Sequence, residues 1–189
     1  IFLFIIYFLF YIEIKVNKSN IIYNFDKELT RHNLNSETFL KLPFYFNGSH
    51  INKECKKSSL IKIEKKKNYY EKYKSLNNQY YLLEPRIQFT QKQEIFYVHK
   101  NKFLPLLCYS TSINYCIIKK GSFKLTLIHP KYRENFIENN NLCNSETKYN
   151  YIKNNNLFQS VICYENTIIY FPDQWIIYIE NNENKTSIL

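Results

Sequence analysis

Imidazole and thiol are the groups through which a chain of this size most readily holds a metal, and the sequence offers few of them. His99, His129, Cys108, Cys116 and Cys163 lie in its second half, and no two of them show ligand spacing. Five cysteines, with Cys55 and Cys143 completing the set, form no C-x-x-C, so neither a zinc site nor a full disulfide framework is signalled. If the chain is lumenal, some of them are free to pair, in an order the spacing leaves open. Cys108, Cys116 and Cys163 stand in apolar runs and read as small core residues. His129 precedes Pro130 at a strand end and reads as a surface or capping histidine. Between Leu104 and Lys120 there is no His, Asp or Glu at all, so no imidazole–carboxylate site can be drawn from that interval.

Composition narrows the functional classes further. The chain of 189 residues carries 26 Lys+Arg against 16 Asp+Glu, a net charge of +10. Its lysines are scattered, dense only at Lys62 to Lys67, and arginine is nearly absent, which argues against nucleic acid as the partner. With no Ala or Met, two Gly and an excess of Asn, Lys, Ile, Tyr and Phe, the chain looks written by an A/T-rich coding sequence. Part of the basic excess is then mutational, and the lysines read by default as a solvated surface. Aromatic residues at 18% and a length suited to one domain predict a folded, β-rich chain with a sizeable core.

The elements that would position any site follow in chain order. Residues 1–16 open with an apolar run, Ile1 to Ile12, shorter than a bilayer span and suited to a signal segment or to an anchor that extends upstream; a buried strand is the competing reading. The segment 17–78 is polar and irregular, with short helices expected near Phe25 to Arg31 and Ser36 to Leu42. A third is expected over Glu64 to Leu76, where Tyr69, Tyr73 and Leu76 share a helical face. From Gln79 strands are expected at Gln79 to Leu83, Glu94 to Val98 (as a strand or a short helix), Leu104 to Tyr109, Ile113 to Lys119 and Phe123 to Ile128, the last with Phe123, Leu125 and Leu127 on one face. Lys131 to Asn156 is an Asn-rich insertion with one helical turn at Tyr132 to Ile137, and Leu142 to Asn156 is left unassigned. Val161 to Tyr164, Thr167 to Phe171 and Trp175 to Ile179 then read as three strands separated by Glu165-Asn166 and by Pro172-Asp173-Gln174.

Two stretches carry a more particular pattern. One is Ile169-Tyr170-Phe171-Pro172-Asp173-Gln174-Trp175, and the other is Gly121-Ser122-Phe123-Lys124-Leu125-Thr126-Leu127-Ile128-His129-Pro130. Together they resemble the closing strands and the G-x-K-x-x-x-L-x-x-P landmark of JmjC/cupin-like domains, with wording most similar to the JmjC-domain proteins of the endoplasmic reticulum lumen. The lysine falls one place later than in that landmark. The resemblance implies a mainly β, cupin-like double-stranded β-helix (a jelly-roll barrel) over 79–189, with a small α-containing part before it. Such a barrel would need a further strand beyond Leu189, so the chain is expected to be truncated.

The resemblance also implies an iron site of two histidines and one carboxylate, and this chain departs from it. The positions matching the His-x-Asp/Glu pair are Tyr109 and Thr111, and the third ligand position is Ile177. Lys124 corresponds to a lysine that pairs with 2-oxoglutarate in some relatives, and Trp175 to a residue beside the pocket mouth or under the barrel; as a plain residue, Trp175 reads as a core anchor. The expectation is a barrel that has lost its Fe(II) ligands, with no catalytic residues and no metal or other cofactor, acting as a non-catalytic binding or structural module. Its partner would be another protein, in the endoplasmic reticulum lumen or at its membrane, with the N-terminal run as the membrane contact. The alternative is a 2-oxoglutarate and Fe(II)-dependent protein hydroxylase or demethylase read through an incomplete gene.

Overall fold

The structure, a computed structural model, describes residues 2–14, 19–49, 60–64, 70–75, 94–99, 102–111, 113–138, 141–142, 145–183 and 187–188. The expected strand at Gln79 to Leu83, as well as Cys55 and Cys143, lie outside these residues.

Fourteen strands and three α-helices are described. The first helix is α1 (Phe2–Ile14), followed by β1 (Tyr23–Asn24), α2 (Arg31–Phe39), β2 (Phe44–Asn47), β3 (Leu60–Glu64), β4 (Tyr70–Ser75) and β5 (Glu94–Val98). Then come β6 (Leu107–Cys108), β7 (Ile113–Ile117), β8 (Phe123–Ile128), a 3-10 helix (Pro130–Phe136), β9 (Ile137–Glu138), β10 (Asn141–Leu142) and α3 (Glu146–Asn154). The chain closes with β11 (Gln159–Cys163), β12 (Thr167–Pro172), β13 (Ile176–Asn181) and β14 (Ser187–Ile188).

Eight of these strands pair as a hairpin folded over on itself. Taking β5, β6, β7, β8, β11, β12, β13 and β14 in chain order, the first pairs with the last, the second with the seventh, the third with the sixth and the fourth with the fifth, all antiparallel. That nesting is the connectivity of a jelly roll, and β13 also pairs with β8 to complete one wall as β11-β8-β13-β6. The domain is thus mainly β, a cupin-like double-stranded β-helix. The N-terminal part adds to its walls: β2 joins β12 at the outer edge of one sheet, with β1 parallel to β2, and β3 and β4 extend from β5.

Apolar side chains form three layers around the two walls. The barrel interior holds Phe96, Val98, Leu125, Leu127, Phe171, Trp175, Ile177 and Ile179 among others. Outside the β2-β12-β7 wall, Leu34 from α2 covers Phe44, Phe46, Ile168 and Tyr170. Outside the other wall, Tyr149 and Ile152 from α3 cover Ile128, Ile176 and Tyr178. The strands β12 and β13 are consequently buried on both faces, which is why they read as unbroken apolar runs.

Several local expectations are corrected. Residues 70–75, expected within a helix, form β4, paired on one side with β3 and on the other with β5; the ladder on both sides outweighs a helical spacing of aromatics. Glu94 to Val98 is a strand. The two short helices expected near residues 25–42 are one, α2, started by Thr30, whose hydroxyl accepts from Asn33 N at 3.2 Å. The unassigned stretch after Leu142 contains α3, capped by Ser145, with Glu146 in its first turn and Lys153 in its last. The apolar run at the start is helical rather than a strand, and Phe2 to Phe8 are exposed along it. Among the described residues no helix is long and apolar enough to cross a membrane.

Candidate functional site

In a jelly roll the natural place for chemistry is the barrel interior, reached by alternate residues of the inner walls. On β8 these are Phe123, Leu125 and Leu127, as the alternation predicts, and on β13 they are Ile177 and Ile179. Ile177 lies opposite Leu107 on β6 and is 2% exposed. Tyr109, just past β6, packs on the same cluster, its ring 6.1 Å from that of Phe171. Trp175 is buried there at 1% exposure, and His129 meets it edge-on with ring centroids 5.0 Å apart.

The turn Pro172-Asp173-Gln174 closes over this end of the barrel. Gln174 takes φ 63°, and its N–H donates to the Tyr109 carbonyl at 3.0 Å, while Arg133 donates to its side-chain oxygen. Tyr109 in turn donates a long bond of 3.5 Å to the Glu94 carboxylate at the start of β5. Burial above all, and then the nearby Glu94 carboxylate and Cys116 thiol, push the Tyr109 phenol well above its ordinary range, so it remains an O–H donor and not a phenolate ligand. Burial likewise raises the Cys163 thiol to about 12 and pushes Cys116 well above its ordinary value. Both thiols sit within the interior cluster, while Cys108 faces the layer under α3.

The structure therefore brings Tyr109, Ile177 and Trp175 into one interior cluster. Thr111 lies apart, on an exposed bend, donating to Asn114 at the head of β7. Lys124 also lies apart: it alternates with Phe123 and Leu125 and so projects from the outer face of the wall, away from the interior. His129 caps the 3-10 helix, its Nδ1 accepting from Lys131 N at 3.0 Å, but it is buried and not a surface residue.

A phenol held protonated, a threonine turned outward and an alkyl side chain do not make the oxygen and nitrogen donor set that Fe(II) requires, so the group does not fit the residues present. Among the described residues no three His, Cys, Asp or Glu side chains come together as a ligand set. The described site that does gather polar groups is elsewhere, a cavity of about 200 Å³ on the outer face of the β11-β8-β13 wall, where Lys124, Thr126, Ser160 and Tyr178 lie beneath Lys153 and the end of α3.

No family model matches the chain. No curated protein matches it either. Solved structures of similar shape include the cupin domain of CENP-C from Drosophila melanogaster, at 8% identity over 72% of this chain and 81% of that one, with a TM-score of 0.40. The same organism's CENP-C bound to CAL1 is similar at 8% identity over 70% and 80%, TM-score 0.42. An oxalate decarboxylase from Lactobacillus farciminis is similar at 11% identity, TM-score 0.35; the match covers 51% of this chain and 22% of the decarboxylase. At these scores the fold assignment rests on the strand pairings of this chain itself.

Proposed function

We propose that the chain is a cupin-like domain of JmjC type that has lost its iron site and serves as a non-catalytic binding or structural module for another protein in the secretory pathway. The observation that carries this reading is Ile177: at the third ligand position it is an alkyl group, 2% exposed, packed into an interior cluster with Trp175, Leu125 and Leu127. An oxygenase of this fold needs that volume for its metal and co-substrate, and here apolar side chains fill it. Tyr109 and Thr111 supply no imidazole or carboxylate at the other two positions. The apolar helix α1, with Phe2 to Phe8 exposed along it, supports entry into the secretory pathway or contact with its membrane.

The test is turnover by the full chain. Incubated with Fe(II), ascorbate and 2-oxoglutarate, it should release no succinate above a protein-free control. Succinate release that disappears on removing iron would overturn the reading and restore the oxygenase alternative.

A further inference from the structure

On the outer face of the β11-β8-β13 wall, three hydroxyl residues stand in one row across three strands. Ser160 is paired with Thr126, and Thr126 with Tyr178. The Thr126 and Ser160 oxygens are 2.7 Å apart, so one hydroxyl donates to the other and the acceptor's own proton stays available. In the next row Lys124 lies between Ile162 and Glu180. Lys153, near the end of α3, reaches down to Glu180 with Nζ 2.6 Å from Oε1. Asn155 and Asn156 continue the roof, and the partly open space they line is about 200 Å³.

Two features of this cavity ask for a ligand. Tyr178 is 1% exposed, lines the cavity, and its phenol oxygen has no hydrogen-bond partner among the described residues. A buried hydroxyl left in that state costs stability, and native structures supply it with an acceptor. Among the described residues no carboxylate forms an ion pair with Lys124; Glu180, opposite it on β13, pairs with Lys153 through Oε1. Two ammonium groups against one carboxylate leave an unmatched positive charge beside a row of hydroxyl donors. Burial and the neighbouring Glu180 raise the Tyr178 phenol, which keeps it a donor.

We infer that this cavity binds a phosphate group, free or carried on a small organic molecule, through Lys124, Lys153, Tyr178 and the Thr126–Ser160 hydroxyl pair. Lysines act as point charges toward phosphate, and hydroxyl donors complete the shell around its several acceptor oxygens. The volume exceeds that of a single oxyanion and leaves room for a short body. The site lies outside the barrel and is independent of the iron question.

The test is a calorimetric titration of the full chain with inorganic phosphate and, separately, glycerol 3-phosphate, at fixed ionic strength in chloride. Saturable binding with one site per chain is expected, and a tighter glycerol 3-phosphate would identify the ester as the source. Tyr178→Phe changes no charge and should weaken binding by about tenfold or more, the loss of one hydrogen bond to a charged group. Lys124→Gln should weaken it similarly, while Lys41→Gln, beyond α2 on the opposite wall, should leave it unchanged. Absence of saturable binding by the parent chain would overturn the inference. So would binding that survives both Tyr178→Phe and Lys124→Gln intact, since that is the mark of diffuse attraction to a basic surface.

Discussion

Replacing Ile177 by alanine separates a filled barrel from one with an open site. Truncation removes three carbons from a side chain that is 2% exposed. At about 0.8 kcal/mol per carbon the lost transfer term is roughly 2.4 kcal/mol. Ile177 shares its interior cluster with Leu125, Leu127 and Leu107 of its own wall and with Ile169 and Phe171 of the facing one, so the gap closes only in part, and the unrelaxed cavity carries the total toward about 4 kcal/mol. For a chain of this length that corresponds to a Tm lower by roughly 5 to 15 °C. Urea unfolding followed by fluorescence is the assay, because Trp175 is the chain's single tryptophan and belongs to the same cluster. The midpoint should fall with the slope unchanged. A loss below about 1 kcal/mol would mean that the barrel is not filled around Ile177, since only a side chain bordering solvent or an open pocket could be cut back so cheaply.

Two further perturbations probe the N-terminal part of the wall. A methyl group at Gly48 would stand 2.2 Å from Ile168 Cδ1 and 2.6 Å from its Cγ1, and Ile168 is fully buried, so Gly48→Ala should cost about 1–3 kcal/mol in urea unfolding; a neutral result would mean that the end of β2 is not seated on β12 as described. Glu37 accepts from Lys27 and from the Tyr23 hydroxyl at 2.6 Å, and these bonds hold its carboxyl below the usual range. A depressed folded-state pKa gives stability that is present above the unfolded value of about 4.3 and lost as pH falls through the folded one. The gap between the parent and Glu37→Gln should therefore be full near neutrality and shrink below about pH 4, and a gap that stays constant through that range would remove the Glu37 carboxylate from the account.

What was legible in the sequence was local. The turn that carries the chain from β11 in one wall to β12 in the other announced itself through Glu165-Asn166, and Asn166 does take the left-handed φ of 68° that the turn requires. Pro172 to Gln174 and Gly121 marked the turns that bound β8, β12 and β13. The parity of Phe123, Leu125 and Leu127 already placed Lys124 on the opposite face of β8, a sign that it could not serve the barrel interior. The misreadings came from non-local causes. Tyr69, Tyr73 and Leu76 have helical spacing, yet β4 is fixed by ladders to β3 and β5, and no local pattern announces those partners. An Asn-rich composition hid α3, although Ser145 followed by Glu146, with Tyr149 and Ile152 three apart, was an available signal. The row of Ser160, Thr126 and Tyr178 exists only through two strand registers, so the outer cavity had no signature in the chain order.

A calorimetric titration of the full chain with Fe(II) or Mn(II), with and without 2-oxoglutarate, tests whether the barrel of this jelly roll holds iron. A barrel without an iron site gives no saturable heat under either condition, because the Tyr109 phenol stays protonated, Thr111 is exposed on its bend and Ile177 offers nothing to donate. One site per chain, tightened by 2-oxoglutarate, would contradict it.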